Sequence, residues 1–246
     1  MLTDNLFILK PYEIYTFDNV LPPHQVSFLE EVCMSYPRWN MGLTYSGTSS
    51  FSNKTAEKFD IKKIYEQFQL GYSIVDRIRN QFDLDLISQV LAPISNLSLE
   101  KRYMWFFENL LRIKINLQTK APKIAQNRYN FPHIDVNGPD IEDITTFLYY
   151  VNDSDGDTYF FKEKIDEVKG HPKKLDNLTV IKKISPKKGR LVMFKGDILH
   201  AGSHPVDSNE RVVINYNIIL NKMKENASKE FENQLFKDNF PNHTPA

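Results

Sequence analysis

Two side chains that can bind a cation stand two residues apart in Pro132-His133-Ile134-Asp135. In an extended strand, positions i and i+2 face the same side, so the imidazole and the carboxylate can point at one ion while Ile134 packs the other way. A later histidine from a neighbouring strand would complete a set of two nitrogens and one oxygen, with the other coordination positions open. Taken alone the motif is weak, because histidine and aspartate meet at this spacing by chance. Its weight depends on the residues downstream.

The third ligand must be distant in sequence and adjacent in space, and His200 and His204 are the candidates. His200 closely follows Leu191-Val192-Met193-Phe194-Lys195-Gly196-Asp197, which reads as a buried strand ending in a Gly-Asp turn and would hold a side chain rigidly. His204 precedes Pro205 in a looser stretch with Gly202 and Ser203, a poorer support for fixed geometry. That difference favours His200. His24, His171 and His243 fall in a helical flank, a Lys-rich loop and the tail, where solvation is the simpler reading. Two histidines and a carboxylate with open positions is the arrangement of non-haem iron(II) oxygenases, whereas a closed zinc site would take a fourth protein ligand.

Arg211 opens Arg211-Val212-Val213-Ile214-Asn215-Tyr216-Asn217-Ile218-Ile219-Leu220, an otherwise largely apolar strand. If one face of that strand lines a barrel, Arg211, Val213, Asn215 and Asn217 point inward together. A buried guanidinium needs an anion, and its fork of donors suits a carboxylate. The plainer alternative is an arginine at the barrel rim or paired with a protein carboxylate.

The elements that must position these residues are legible in outline. Tyr12 to Val20 alternates like a short strand, and Leu21-Pro22-Pro23 opens a helix in which Val26, Leu29 and Val32 recur at helical spacing to about Ser35. Trp39 to Lys54 reads as loop. The apolar stripe Ile61, Ile64, Tyr65, Phe68, Ile74, Val75, Ile78 and Phe82 predicts a second helical region over 55–82, with Gly71 as a break. From Leu110 to Thr119 the period becomes two, and short strands are expected near 131–136, 144–152, 158–162, 178–184, 190–194 and 211–220. Many short strands without interleaved helices argue for a barrel or jelly roll. Asn221 to Phe236 reads as a mixed-charge surface helix. The expected division is a strand and helical support region over 1–100, a core over 101–220, and a C-terminal helix and tail over 221–246.

At 246 residues the chain is long enough to bury one sizeable core. Its formal charge is zero, which gives no global pull toward nucleic acid or an anionic membrane. Cys33 is the single cysteine, so no intramolecular disulfide can form, and with no signal-peptide pattern at the start the expectation is a soluble, cytoplasmic protein. Between Lys162 and Arg190, ten basic residues face four acidic ones, the pattern of a solvated loop or of a surface for an acidic partner. Asp153-Ser154-Asp155-Gly156-Asp157 has its glycine too early for a calcium loop and reads as a hairpin turn. The insertion 161–180 and the loop 120–130 are expected to border the barrel mouth.

The series His133-x-Asp135, Leu148-Tyr149-Tyr150-Val151-Asn152-Asp153, Gly156-Asp157-Thr158-Tyr159-Phe160, Pro186-Lys187-Lys188-Gly189-Arg190-Leu191-Val192-Met193-Phe194, His200 and Arg211 resembles the iron(II)- and 2-oxoglutarate-dependent oxygenases, in their prolyl 4-hydroxylase-like branch. The resemblance covers about Leu110 to Leu220. It implies an α+β fold with a double-stranded β-helix core, jelly-roll and cupin-like, and N-terminal helices packed against the sheet. It implies Fe(II) on His133, Asp135 and His200, with 2-oxoglutarate as cosubstrate held by Arg211, assisted by the Tyr150 hydroxyl, and Asn116 near its other end. It also implies O2 as oxidant, ascorbate as an accessory, and a peptide or small-molecule substrate hydroxylated with release of succinate and CO2. Where relatives usually have two glycines this chain reads Asp155-Gly156-Asp157. The rival from another class is a catalytically inactive cupin-like module that binds a metal or ligand.

Overall fold

The longest alternating segment, Leu110–Thr119, forms strand β4, and its two faces divide as period two requires: Ile113, Ile115 and Leu117 pack into the core while Arg112, Lys114, Asn116 and Gln118 share the opposite face. Its partner β10 (Glu210–Ile219) divides in the same way, with Val212, Ile214, Tyr216 and Ile218 in the core and Arg211, Val213, Asn215 and Asn217 on the other side. The protein is described here by a computed structural model, covering residues 9, 11–35, 69–77, 80–95, 109–136, 143–164 and 178–219.

The remaining strands are β1 (Ile14–Phe17), β2 (Gln69–Asp76), β3 (Gln81–Phe82), β5 (Ile144–Tyr150), β6 (Thr158–Phe161), β7 (Val180–Ile184), β8 (Leu191–Lys195) and β9 (His200–Gly202). They pair antiparallel throughout, as a seven-stranded sheet ordered β1-β8-β5-β10-β4-β2-β3 and a three-stranded sheet ordered β7-β6-β9. This is an α+β fold with a double-stranded β-helix core. One face of the large sheet is covered by helices α1 (Pro23–Ser35), α2 (Leu84–Val90) and α3 (Ala92–Ser95), whose Leu29, Val32, Cys33, Leu86, Ile87, Val90 and Ile94 are buried against it. Each such side chain removed from water contributes about 1.5–3 kcal/mol. The other face turns toward the small sheet, where Leu148, Tyr150, Val192, Phe194 and Val213 meet Phe160, Ile184 and Ile198.

Two expectations are corrected. The helical region expected over 55–82 is, where residues are described, the strand β2 followed by β3, and helix α2 begins only at Leu84. The register of β2 on β4 shifts between Ser73 and Val75, so the adjacent Ile74 and Val75 are both buried. That bulge breaks period two and imitates a helical stripe. Phe82, assigned to the same stripe, is 41% exposed. Around His133 the expected strand reduces to one isolated bridge to His200. The loop 39–54, the C-terminal helix 221–236 and most of the insertion, 165–177, lie outside the described residues.

The turns that fix the strand ends are local and specific. Asp83 caps α2, accepting the Leu86 N–H on Oδ1, while its Oδ2 accepts the Tyr72 hydroxyl at 2.6 Å. Asp155 takes the backbone N–H groups of Val206, Asp207 and Ser208, which pins the loop leading into β10. Gly189 sits at φ +80° in the turn before β8, a conformation that favours glycine.

Candidate metal centre

The bridge between His133 and His200 is a reciprocal one: each backbone N–H donates to the other residue's carbonyl, at 2.9 and 3.0 Å. It brings the end of the loop before β5 against β9. Each imidazole then uses Nδ1 on the carbonyl two residues earlier, His133 on Phe131 at 2.8 Å and His200 on Ile198 at 3.0 Å. A carbonyl only accepts, so Nδ1 carries the proton and Nε2 keeps a lone pair. Both Nε2 atoms face Asp135, at 4.0 Å from Oδ1 for His133 and 3.4 Å from Oδ2 for His200. The ligating atoms of the three residues all lie within 4.8 Å of one another.

Two lone pairs and a carboxylate directed at one point repel unless a cation sits between them, so the donor set fits a divalent metal ion. Burial and the neighbouring His200 push the His133 imidazole down to about 4, which leaves it neutral and able to ligate at neutral pH. Burial raises the Asp135 carboxyl, but His200, Arg112 and His133 outweigh it and hold the group well below the usual carboxylate range. His200 is packed edge-on by Phe194, with ring centroids 4.9 Å apart. His204 lies elsewhere, its Nδ1 3.1 Å from the Thr119 carbonyl.

The same cavity reaches Arg211. Its lining includes Gln69, Asn116, Gln118, Asn130, Phe131, Thr158 and Asn215 together with the three candidate ligands. Arg211 is buried, and its guanidinium donates to the Gly156 carbonyl at 2.7 Å, to Gln118 Oε1 at 2.8 Å and to Thr158 Oγ1 at 2.7 Å. All three acceptors are neutral, and among the described residues no carboxylate lies within ion-pair distance of this buried cation. Gly156 permits the fit, since a Cβ there would stand 2.6 Å from the Ser203 carbonyl oxygen and 2.8 Å from Arg211 Cδ. The single glycine of Asp155-Gly156-Asp157 is therefore placed where the arginine stem needs it.

The Tyr150 hydroxyl donates to Thr158 Oγ1 at 2.7 Å, and its ring lies beside the guanidinium, 5.7 Å from Arg211 Cζ. Thr158 Oγ1 thus accepts from both Tyr150 and Arg211, which leaves its own proton to donate into the cavity. Asn116 lines the cavity and accepts from Gln69 Nε2 at 2.7 Å. Asn130 Oδ1 and Asn215 Oδ1 are buried without a donor among the described residues, so a ligand has two further groups to satisfy.

Sequence reasoning missed Gln69, Arg112, Gln118, Asn130 and Thr158. Gln69 lay inside the misread helix, and Arg112 and Gln118 are on the inward face of β4, where alternation alone could have found them. Asn130 and Thr158 have no local signal, because a loop and a neighbouring hairpin bring them in.

Comparison with known proteins finds one family match and a set of similar solved structures. Residues 122–219 match the family model described as 2OG-Fe(II) oxygenase superfamily. No curated protein sequence matches this one. Among solved structures, the chain is similar to a prolyl-4-hydroxylase of Pseudomonas putida, at 16% identity and a TM-score of 0.48 over 85% of this chain and 94% of that one. It is similar to a Trichoplax adhaerens prolyl hydroxylase solved with a hypoxia inducible factor oxygen degradation domain peptide, at 14% identity and 0.46 over 85% and 84%. An oxidoreductase of the 2OG-Fe(II) oxygenase family from Burkholderia pseudomallei gives 14% identity and 0.47 over 83% and 84%.

Proposed function

We propose, from the match of residues 122–219 to the 2OG-Fe(II) oxygenase superfamily model, that this chain is a hydroxylase acting on a C–H bond of a peptide, prolyl-like, or of a small molecule. The observation that carries the reading is the presence of His133, Asp135, His200 and Arg211 in one cavity. A metal-binding module without activity would have no use for a buried guanidinium that, among the described residues, has no carboxylate within ion-pair distance.

His133 Nε2, Asp135 and His200 Nε2 would hold Fe(II), and three ligands leave room for cosubstrate and oxygen. When bound, iron(II) with 2-oxoglutarate supplies the oxidising chemistry: O2 is consumed, the oxo acid becomes succinate and CO2, and one oxygen atom enters the substrate. The protein's own part is positional. Arg211 offers its charge, and Thr158 a hydroxyl proton, to the distal carboxylate of 2-oxoglutarate. Tyr150 acts one step back, fixing Thr158 and flanking the guanidinium rather than donating to the cosubstrate. Asn116, oriented by Gln69, and the buried amides Asn130 and Asn215 are left to meet the remaining polar atoms of cosubstrate or substrate. Phe131 and Phe160 flank the histidines on the side of the small sheet and limit water there.

Among the described residues no helix is long and apolar enough to cross a membrane. The direct test is release of succinate from 2-oxoglutarate by the iron-loaded protein across a panel of proline-containing peptides and small metabolites, with 18O2 followed into the product. Stimulated succinate release with label in the product is expected. No release from any member, with iron bound and 2-oxoglutarate bound, would count against hydroxylation.

A further inference from the structure

A second arginine reaches the centre from a different direction. Arg112 stands on the inward face of β4, opposite Asn217 of β10, and its side chain crosses to the loop that carries Asp135. Nη1 donates to the Asp135 backbone carbonyl at 3.0 Å, and Nη2 donates to Asp135 Oδ1 at 3.2 Å. The pair is largely out of water, with side-chain exposures of 17% and 3%. Arg112 Nε is buried with no acceptor among the described residues.

The two carboxylate oxygens of Asp135 are therefore unequal. Oδ1 accepts from the guanidinium at 3.2 Å and lies 4.0 Å from His133 Nε2, while Oδ2 lies 3.4 Å from His200 Nε2 and accepts only a long bond of 3.4 Å from the Asn217 amide. A carboxylate free on both oxygens can chelate a metal and use up a coordination position. One whose Oδ1 accepts from a guanidinium N–H, while the other arm of the fork is anchored on its own backbone carbonyl, presents Oδ2 as the better-placed coordinating oxygen. The charge has its own effect, because ferric iron carries one more positive charge than ferrous iron and a fixed cation nearby disfavours it more.

We propose that Arg112 is a positioning residue for the metal centre, holding Asp135 to a single coordinating oxygen and biasing bound iron toward the ferrous state. This rests on the reading of His133, Asp135 and His200 as the iron site. A purely structural arginine would do neither, serving only to neutralise a buried carboxylate. Lysine separates the two effects, since it keeps the charge and lacks the fork.

The experiment uses the full chain and two readouts apart from turnover: the visible spectrum of the Co(II)-loaded protein, and the Fe(III)/Fe(II) potential of the iron-loaded protein. Wild type and His200→Ala come first. If wild type gives no Co(II) spectrum, or His200→Ala keeps it, the iron-site reading itself fails and this inference with it. With that reading standing, Arg112→Met should change the Co(II) spectrum and shift the Fe(III)/Fe(II) ratio about tenfold toward ferric at a fixed applied potential, about 59 mV for a one-electron couple. Arg112→Lys should change the spectrum and leave the potential near that of wild type. An Arg112→Met protein with the wild-type spectrum and potential overturns the proposal. Should that variant not fold, an Arg112→Lys protein with an unchanged spectrum overturns it equally.

Discussion

His133 and His200, 67 positions apart in the chain, are tied to each other by two backbone hydrogen bonds of 2.9 and 3.0 Å, so neither imidazole depends on the metal to find its partner. The centre is preorganised by the backbone, and the third ligand is held by Arg112. Removing ligands should therefore separate metal binding from folding. His133→Ala should abolish tight Fe(II) or Co(II) binding with a small effect on stability. Asp135→Ala should abolish it too and lower the melting temperature more, because Arg112 is left partly buried without its carboxylate. Calorimetric metal titration and thermal unfolding of both variants check this, and equal melting temperatures would contradict the asymmetry.

Losing Arg211 should affect two quantities at once. Arg211→Ala strands the Gly156 carbonyl and Gln118 Oε1 in a buried site and takes from Thr158 Oγ1 one of its two donors, at a cost to stability of about 2–4 kcal/mol. It should also weaken 2-oxoglutarate binding by at least about tenfold, through loss of the charged partner. Thr158→Val conserves shape and removes the hydroxyl. It should raise the KM for 2-oxoglutarate with Fe(II) affinity unchanged, which steady-state kinetics and a metal titration would read separately.

How far the site could be read from the sequence depended on how local each signal was. His133 and Asp135 are two apart, and His200 was distinguishable from His204 because a buried strand leads into it. Arg211 was visible as a charge at the head of an apolar strand. Arg112 was not, since nothing near it in sequence indicates that its partner is Asp135, 23 residues on, and only the path of the loop between them brings the two together. The strand β2 was misread for a physical reason, the bulge that buries Ile74 beside Val75. Tyr150 was placed on the right strand, but that its hydroxyl turns to Thr158 depends on how β6 packs against β5.

The cap of α2 gives a check on the part of the fold that braces the sheet. Asp83 serves both Leu86 N–H and the Tyr72 hydroxyl, so it joins the helix to β2. Asp83→Ala should cost about 1–2 kcal/mol, and Tyr72→Phe less, since the cap survives in the latter. Denaturant unfolding of the two variants measures the difference. A larger loss for Tyr72→Phe would show that the hydroxyl contact and not the cap sets the local stability.

Cys33 predicts an alkaline limit. Burial pushes its thiol up to about 12, whereas in the unfolded chain it titrates near about 8.5. Between those values the unfolded state has released a proton that the folded state keeps, so this contribution is fully present below about pH 8.5 and is lost as the pH rises toward 12. Wild type should lose stability between pH 8 and pH 10.5 faster than Cys33→Ala, whatever the absolute stability of that variant. In the native state the thiol should resist alkylation at pH 8, and rapid modification without unfolding would show that the site is open.

Gly156 is where stability and cosubstrate binding can be separated most sharply. A Cβ at this position would stand 2.6 Å from the Ser203 carbonyl, 2.8 Å from Arg211 Cδ and 3.0 Å from Pro205 N, and two of those three atoms are backbone. The arginine stem can move more easily than the 203–208 loop, which Asp155 holds through three N–H groups. Strain should therefore be relieved mainly at Arg211. Gly156→Ala is expected to cost about 1–3 kcal/mol of stability and to weaken 2-oxoglutarate binding with little change in Co(II) or Fe(II) affinity, because the metal ligands lie on other elements. Parallel titrations with metal and with 2-oxoglutarate give the answer: equal losses in both would mean that the loop moves as a whole and carries β9 with it.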